Sequence, residues 1–158
     1  MPIVRQQEKV TAMKVAEFFI WMCNQTGSYI SNLKLQKILY YAQGWHLGLY
    51  GKPLFDAKFQ AWIHGPAIPH VYGNFKSFGF QPIFDKKIKK PEFNPDTESF
   101  LTEIAKVFFS YDAYELELAT HREPPWLNAR KGLAADAPCK NIISDEDMRT
   151  FFASQKKA

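Results

Sequence analysis

Apolar side chains recur at spacings of three and four over residues 33–51, which predicts an amphipathic helix at the centre of the fold. We expect Ser31 or Asn32 to cap its start, because either side chain can accept a hydrogen bond from the first free amides. Gly44 costs on the order of 1 kcal/mol relative to alanine inside a helix. Either the helix therefore ends near Gly44, or another backbone packs closely against it. The positions that share the inner face are Leu35, Ile38, Leu39, Ala42, Trp45, His46 and Leu49.

The opposite side of this predicted helix is polar and aromatic. We expect its tyrosines and glutamines to lie at or near the boundary with solvent, where aromatic side chains often serve protein interfaces. The alternative is that this side is also buried and serves only the core. The residues on this side and its flank are Lys34, Gln36, Lys37, Tyr40, Tyr41, Gln43 and Gly48.

Capping residues ahead of apolar stripes predict the other helices. The first helix should span residues 12–25 and end at Gly27, and the last should reach residue 154. The pair Pro124 and Pro125 is expected to stop the helix that precedes it. The predicted helix starts are Thr11, Asn94, Ser110 or Asp112, Trp126 and Ser144.

Residues 51–93 lose the helical period, and glycine and proline punctuate short aromatic segments. Residues 58–63 and 82–88 are typical of short strands that could pair with each other. We expect residues 64–66 to form a tight turn and Pro69 to open a helical turn. The predicted fold class is therefore mainly α, an α+β fold with at most two or three short strands in a single compact helical domain of about six helices.

The composition fits one globular domain. The 158 residues are 46% hydrophobic and 23% charged, which is enough chain to bury a core without disulfides or metals. No internal repeat or linker divides the sequence. The aromatic share of 16% is high, and aromatic side chains beyond core needs indicate a surface for a partner.

The cysteines and the apolar runs indicate a compartment. Cys23 and Cys139 show neither metal-ligand spacing nor a disulfide framework, which favours a reducing cytoplasm. The N-terminus lacks the long apolar run of a secretory signal. The longest apolar run, residues 18–23, is far shorter than the roughly 20 residues that cross a bilayer. We therefore expect a soluble, cytoplasmic protein that makes no membrane contact.

The basic charge opens nucleic-acid binding as an alternative function. The net charge is +4 and the pI is near 9.0, but 16 of the 20 basic residues are lysine, whereas base-reading proteins use arginine against guanine. The dense run KKIKK at residues 86–90 is expected to be a solvated loop or edge strand. A phosphate contact or an acidic protein partner are the alternatives for that run. The choice of basic residues therefore argues against nucleic acid as the partner.

Histidine placement gives little support for a metal site or for catalysis. His64, His70 and His121 have no i, i+4 spacing and no accompanying glutamate motif, and the chain has neither a nucleophile elbow nor a phosphate-binding glycine loop. We expect no enzymatic activity, no cofactor and no metal, with a histidine-based hydrolase as the weakest alternative. His64 and His121 are expected either to tie loops to backbone carbonyls or to face a partner.

Three motifs occur in a specific order along the chain. They are LKLQKILYYAQGWHL from residue 33, FQAWIHGPAIPHVY from residue 59 and THREPPW from residue 120, followed by Arg130. In this combination the chain resembles the SocA-like antitoxin (Panacea domain) family, which includes phage-associated proteins. The resemblance places an antitoxin domain over residues 12–153, between an N-terminal extension over residues 1–11 and a C-terminal tail over residues 154–158.

The resemblance implies a mainly helical, non-enzymatic antitoxin that binds and neutralises a cognate toxin encoded nearby. It would act by direct contact with the toxin or as an adaptor that delivers the toxin to a ClpXP-type protease. The chain could also form a homo-oligomer. We expect Tyr40, Tyr41, residues 62–66 and Trp126 to anchor the toxin, with core packing as the alternative for Trp126. The residues expected to bind the partner are Gln36, Lys37, Tyr40, Tyr41, Gln43, Trp62, His64, Gly65, Pro66, His121, Trp126 and Arg130.

Overall fold

Seven α-helices and five short strands make up the described part of the chain, residues 9–156, in a computed structural model. The helices are α1 (Ala12–Thr26), α2 (Asn32–Tyr50), α3 (Pro69–Asn74), α4 (Pro95–Phe108), α5 (Ala113–Thr120), α6 (Pro124–Arg130) and α7 (Asp145–Ser154). The strands are β1 (Ile30–Ser31), β2 (Phe59–Trp62), β3 (Gly65–Ala67), β4 (Pro82–Ile83) and β5 (Ile142–Ile143). The mainly α class is confirmed, although the described strands are more numerous and shorter than expected. Predictions for residues 1–8 and 157–158 lie outside the described part.

Helix α2 lies at the centre of the fold, as its apolar period predicts. Helices α1, α4, α5 and α7 and strand β3 pack around it. Ser31 caps its start by accepting a hydrogen bond from the Lys34 amide at 3.2 Å. Gly51 ends it in the left-handed conformation with a φ of 73°, which glycine adopts at little cost.

A helix packs against Gly44 and Gly48 of α2, and α2 continues through both residues without a break. A Cβ on Gly44 would lie 2.1 Å from the ring of Phe152 in α7, and a Cβ on Gly48 would lie 2.8 Å from the backbone nitrogen of Ala153. The close-packing alternative at Gly44 is therefore confirmed. Gly44 and Gly48 leave a strip of the α2 surface without side chains, which we name the glycine strip, and α7 packs into it.

The buried apolar face of α2 ends before the apolar pattern in its sequence does. Leu35, Ile38, Leu39 and Ala42 are fully buried. In the last turns, however, Trp45 and His46 are half-buried, and 44% of the Leu49 surface is exposed. The inner-face expectation holds for Trp45, which packs against the core, but is wrong for His46 and Leu49, because α7 covers the glycine side of these turns.

The strands pair differently from the prediction. Strand β2 forms a hairpin with β3 and also pairs with β5, both antiparallel, whereas β4 pairs with β1. The predicted pairing of residues 58–63 with 82–88 is wrong, because a tight turn joins β2 to an adjacent partner. The turn itself lies at residues 63–64, and Gly65 and Pro66 are already in β3.

Local capping chemistry sets most of the predicted helix boundaries. Thr11, Asn94, Asp112 and Ser144 each accept a hydrogen bond from the backbone amide three residues on, so these predicted starts are confirmed. The proline pair behaves differently. Helix α5 ends at Thr120 and the prolines open α6, because proline suits the first turn, where no intrahelical donor is required.

We expect Gly48→Ala to lower the free energy of unfolding by about 1–3 kcal/mol, because the new methyl group would force the α7 backbone away from α2. The urea midpoint of unfolding measures this effect. Gly73→Ala in α3 is the matched control, since its new methyl group would meet no neighbouring segment within 4 Å, and it should be neutral or stabilise the protein by up to about 1 kcal/mol. Equal midpoints for the two variants would contradict the packing role of Gly48.

Candidate partner-binding site

The polar side of α2 is buried. Its predicted partner-binding residues are each at most 4% exposed, so the expectation that they lie near solvent is wrong. The physical reason is that the β2–β3 hairpin with Ile68 just after it, the loop at residues 54–55 and Glu123 just before α6 cover this side. These segments supply a hydrogen-bond partner to every one of these side chains. The residues are Gln36, Lys37, Tyr40, Tyr41 and Gln43.

The two glutamines hold backbone segments against α2. Gln43 accepts hydrogen bonds from the Leu54 amide at 2.8 Å and the Phe55 amide at 3.3 Å, and donates to the Phe55 carbonyl at 2.8 Å. Gln36 accepts from the Ile68 amide at 2.9 Å. Both side chains therefore provide hydrogen-bond partners for backbone groups that have none in a strand or helix. Buried polar atoms usually require such partners.

Tyr40 and Tyr41 share one carboxylate. Each hydroxyl donates a hydrogen bond of 2.9 Å to a different oxygen of Glu123, and the Tyr41 ring stacks on Phe108 at 4.4 Å. Burial raises the pKa of Glu123 from 4.5 to about 7, although both hydroxyl groups oppose that shift by stabilising the charged form. The three residues tie α2 to the turn that precedes α6.

Lys37 is a buried amine, with 2% of its surface exposed. Its Nζ donates a hydrogen bond of 3.4 Å to the Pro66 carbonyl. A Cβ on Gly65 would lie 2.6 Å from its Cε, so glycine at this position makes room for the lysine. Burial lowers the pKa of Lys37 from 10.5 to about 7, and the charge of Glu117 only partly opposes this shift.

Arg130 and Trp126 form the support beneath the hairpin. Arg130 is 1% exposed, donates to the Ala61 carbonyl at 2.7 Å, and lies over the Trp126 ring at 4.5 Å. Trp126 donates to the Trp62 carbonyl at 2.8 Å, and the ring of His121 stacks on the Trp126 ring at 4.1 Å. Trp126 is 2% exposed, so the core alternative for it is confirmed.

A pocket that opens to the surface lies between α2 and the β2–β3 hairpin and has a volume of about 260 Å³. The hairpin pocket, as we name it, brings together five of the twelve predicted residues, namely Gln36, Lys37, Trp62, His64 and Gly65. Pro66, Tyr40, Tyr41, Gln43, His121, Trp126 and Arg130 do not line it. Its other walls are Leu33, Ile63, Ala67, Tyr72, Pro138, Cys139 and Lys140.

The mouth of the hairpin pocket is aromatic and charged. The rings of Trp62 and Tyr72 meet edge to face at 5.0 Å. His64 is exposed, and its Nδ1 lies 2.9 Å from a carboxylate oxygen of Glu117. Lys140 is exposed at the rim. The pocket can therefore receive an apolar side-chain body, with amines available to an acceptor at its tip.

Sequence reasoning missed several walls of the hairpin pocket. Tyr72 is the last residue of the motif that contains the hairpin, but Pro138, Cys139 and Lys140 carry no local signal. These three residues reach the pocket because β5, just after them, pairs with β2. Only the tertiary fold could place them there.

A family comparison bears on these same elements. The family model described as antitoxin SocA-like, Panacea domain, matches residues 35–127, which is more than half of the chain. The chain belongs to this family. The matched segment of this SocA-like protein contains most of α2, the whole hairpin and every predicted partner-binding residue except Arg130.

One curated relative extends the comparison. Antitoxin SocA of Caulobacter vibrioides (strain NA1000 / CB15N) is 38% identical over 89 residues, which is 56% of this chain and 47% of the relative. The match therefore spans about half the length of that relative. No solved structure matches the SocA-like chain.

Two kinds of feature are absent from the described residues. Within residues 9–156, no group of three or more histidine, cysteine, aspartate or glutamate side chains could hold a metal ion. No helix in the same range has the length and apolar character needed to cross a membrane. Cys23 and Cys139 are both free and buried.

We expect Glu123→Gln to remove a pH-dependent loss of stability. Because the folded pKa of Glu123 lies above its ordinary value, the folded state binds more protons, and the free energy of unfolding falls as pH rises from about 4.5 to about 7. Urea unfolding of wild type and Glu123→Gln across this range measures the difference. Glu146→Gln, at an exposed position, should follow wild type. Parallel curves for wild type and Glu123→Gln would contradict the burial of a titrating carboxyl.

Lys37→Met should have the opposite pH signature. The folded pKa of Lys37 lies below its ordinary value, so the unfolded state binds more protons and the free energy of unfolding rises between pH of about 7 and about 10.5. The methionine variant loses this rise in urea unfolding. Lys140→Met, at the exposed rim of the same pocket, should keep it. A rise retained in Lys37→Met would show that another group causes it.

Proposed function

We propose that this SocA-like protein neutralises a cognate toxin encoded nearby by binding it directly, with a toxin side chain inserted in the hairpin pocket. Membership of an antitoxin family supports the class of function. The observation that carries the proposed surface is that five residues from two of the three motifs meet in one open pocket. Delivery to a ClpXP-type protease is the other mode that the family resemblance implies.

The pocket favours an acidic side chain of the toxin. Trp62 and Tyr72 offer aromatic walls for an aliphatic stem. In its protonated form Lys37 has three donors and makes one hydrogen bond of 3.4 Å within the described residues, so that form has donors to spare for a carboxylate. Lys140 adds a second positive charge at the rim. A pocket of about 260 Å³ is suited to a single side chain rather than to a cofactor.

The buried tyrosines enter this proposal indirectly. A Tyr41→Ala variant would leave a cavity beside Phe108 and remove a hydrogen bond to Glu123, so it would destabilise the core whether or not Tyr41 contacts a toxin. The partner-binding role predicted for Tyr41 stays a prediction. The exposed and half-buried residues of the pocket mouth are the cleaner test.

The test of the function is co-expression with each gene that neighbours the coding sequence. We expect one neighbour to inhibit growth alone, to be tolerated with this protein, and to co-purify with it. Neutralisation of the purified toxin's activity without any protease would support direct contact. A toxin that is neutralised only when a protease is present would instead favour the adaptor mode, and the absence of any toxic neighbour would contradict the proposal.

We expect Trp62→Ala to weaken toxin binding by about 2 kcal/mol, or roughly 30-fold in Kd, because it removes an aromatic anchor at a contact centre. Calorimetric titration measures the change, and circular dichroism checks that the variant is folded. Phe80→Ala is the matched control, since Phe80 is an aromatic residue with 88% of its surface exposed and lies outside the pocket. Equal affinities for the two variants would exclude the hairpin pocket as the contact.

A further inference from the structure

A second concave surface runs beside α4, on a part of the protein that shares no residue with the hairpin pocket. It consists of two cavities of about 790 Å³ and 440 Å³ that meet at Trp45, Val107 and Phe108. We name this surface the α4 groove. Helix α4 has 14 residues and is therefore about 21 Å long, so the groove can follow several turns of a bound helix.

The floor of the α4 groove exposes large apolar side chains. Leu49, Tyr50, Val107 and Tyr111 each expose more than a third of their surface there. Val107, for example, is 53% exposed although it lies on a helix whose other side forms the core. Exposed apolar side chains grouped along one concave surface are typical of contact sites for partner proteins.

The rim of the α4 groove is acidic. Asp96 and Glu103 line one cavity and Glu115 lines the other, and all three carboxylates are exposed, against Lys52 and His46 at one end. Lys106 forms an exposed ion pair of 3.2 Å with Glu103. Even with this pair, the three exposed carboxylates outnumber Lys52 and Lys106, so the rim has the opposite sign to the protein as a whole, which carries a net charge of +4.

We propose that the α4 groove binds a basic amphipathic helix of the toxin. This inference rests on the proposed function, because it takes the toxin as the partner. An amphipathic helix inserts apolar side chains at positions i, i+3, i+4 and i+7 into such a groove, and lysine or arginine on its flanks would face the acidic rim. The hairpin pocket and the α4 groove then hold two separate parts of the same toxin.

A designed peptide tests the groove without the toxin. The probe is a fluorescein-labelled helix of roughly 18 residues, with leucine at the i, i+3, i+4 and i+7 positions and lysine elsewhere. We expect saturable binding by fluorescence anisotropy, and no binding of a peptide in which glutamate replaces every lysine. Equal binding of both peptides would overturn the charge selectivity that the acidic rim predicts.

Paired variants locate the binding. Leu49→Ser combined with Val107→Ser should weaken peptide binding by at least roughly tenfold, and Asp96→Asn combined with Glu103→Gln should weaken it most at low salt. The matched controls change exposed residues outside the groove, namely Leu133→Ser with Ile142→Ser and Glu92→Gln with Glu146→Gln. Circular dichroism confirms that each variant is folded. Groove and control variants that bind the peptide equally would overturn the proposal.

The toxin complex then separates the two proposals. We expect the Leu49→Ser and Val107→Ser double variant to lose toxin affinity by at least roughly tenfold. Toxin binding that is unchanged in this variant but weakened in Trp62→Ala would overturn the α4 groove and leave the proposed function standing. A wild-type protein that captures no toxin would overturn the toxin as occupant together with the proposed function.

Discussion

The close contact between α7 and the glycine strip of α2 is the constraint on which the rest of the fold depends. Phe152 fills the space above Gly44 and Gly48, and this contact fixes α7 against the central helix. Strand β5 just before α7 then pairs with β2. The hairpin is thereby held over the polar side of α2, where the hairpin pocket forms.

The buried polar side chains make this arrangement specific. Apolar contacts alone would permit the covering segments to slide, whereas Gln43, Gln36 and Arg130 each bind identified backbone groups in a different covering segment. A displaced segment would leave a buried donor or acceptor without its partner, at a cost of roughly 1–3 kcal/mol each. The same network places Lys37 and Glu123 where burial moves the pKa of both groups towards neutrality.

The sequence predicts features whose causes are local and misses those that depend on distant contacts. Thr11, Asn94 and Ser144 cap helices through the residues immediately after them, so their roles are readable from the chain. The burial of Tyr40 could not be read in this way, because Glu123 lies 83 positions away. Periodicity identified a polar side of α2 but could not distinguish a side facing solvent from one facing a layer of backbone donors and acceptors. The predicted set of twelve partner-binding residues contains the five that line the hairpin pocket, but the sequence could not separate them from the seven that do not.

The glycine strip also shows that the family boundary and the physical boundary of this protein differ. The family match ends at residue 127, before Arg130, β5 and α7. A protein cut there would keep the motifs but expose the groove of α2 that Phe152 fills, and the Ala61 carbonyl would lose the guanidinium that it binds. Domain transplants or fusions that end where the family match ends would therefore leave this apolar surface of α2 exposed. The segment C-terminal to the match has to be included in them.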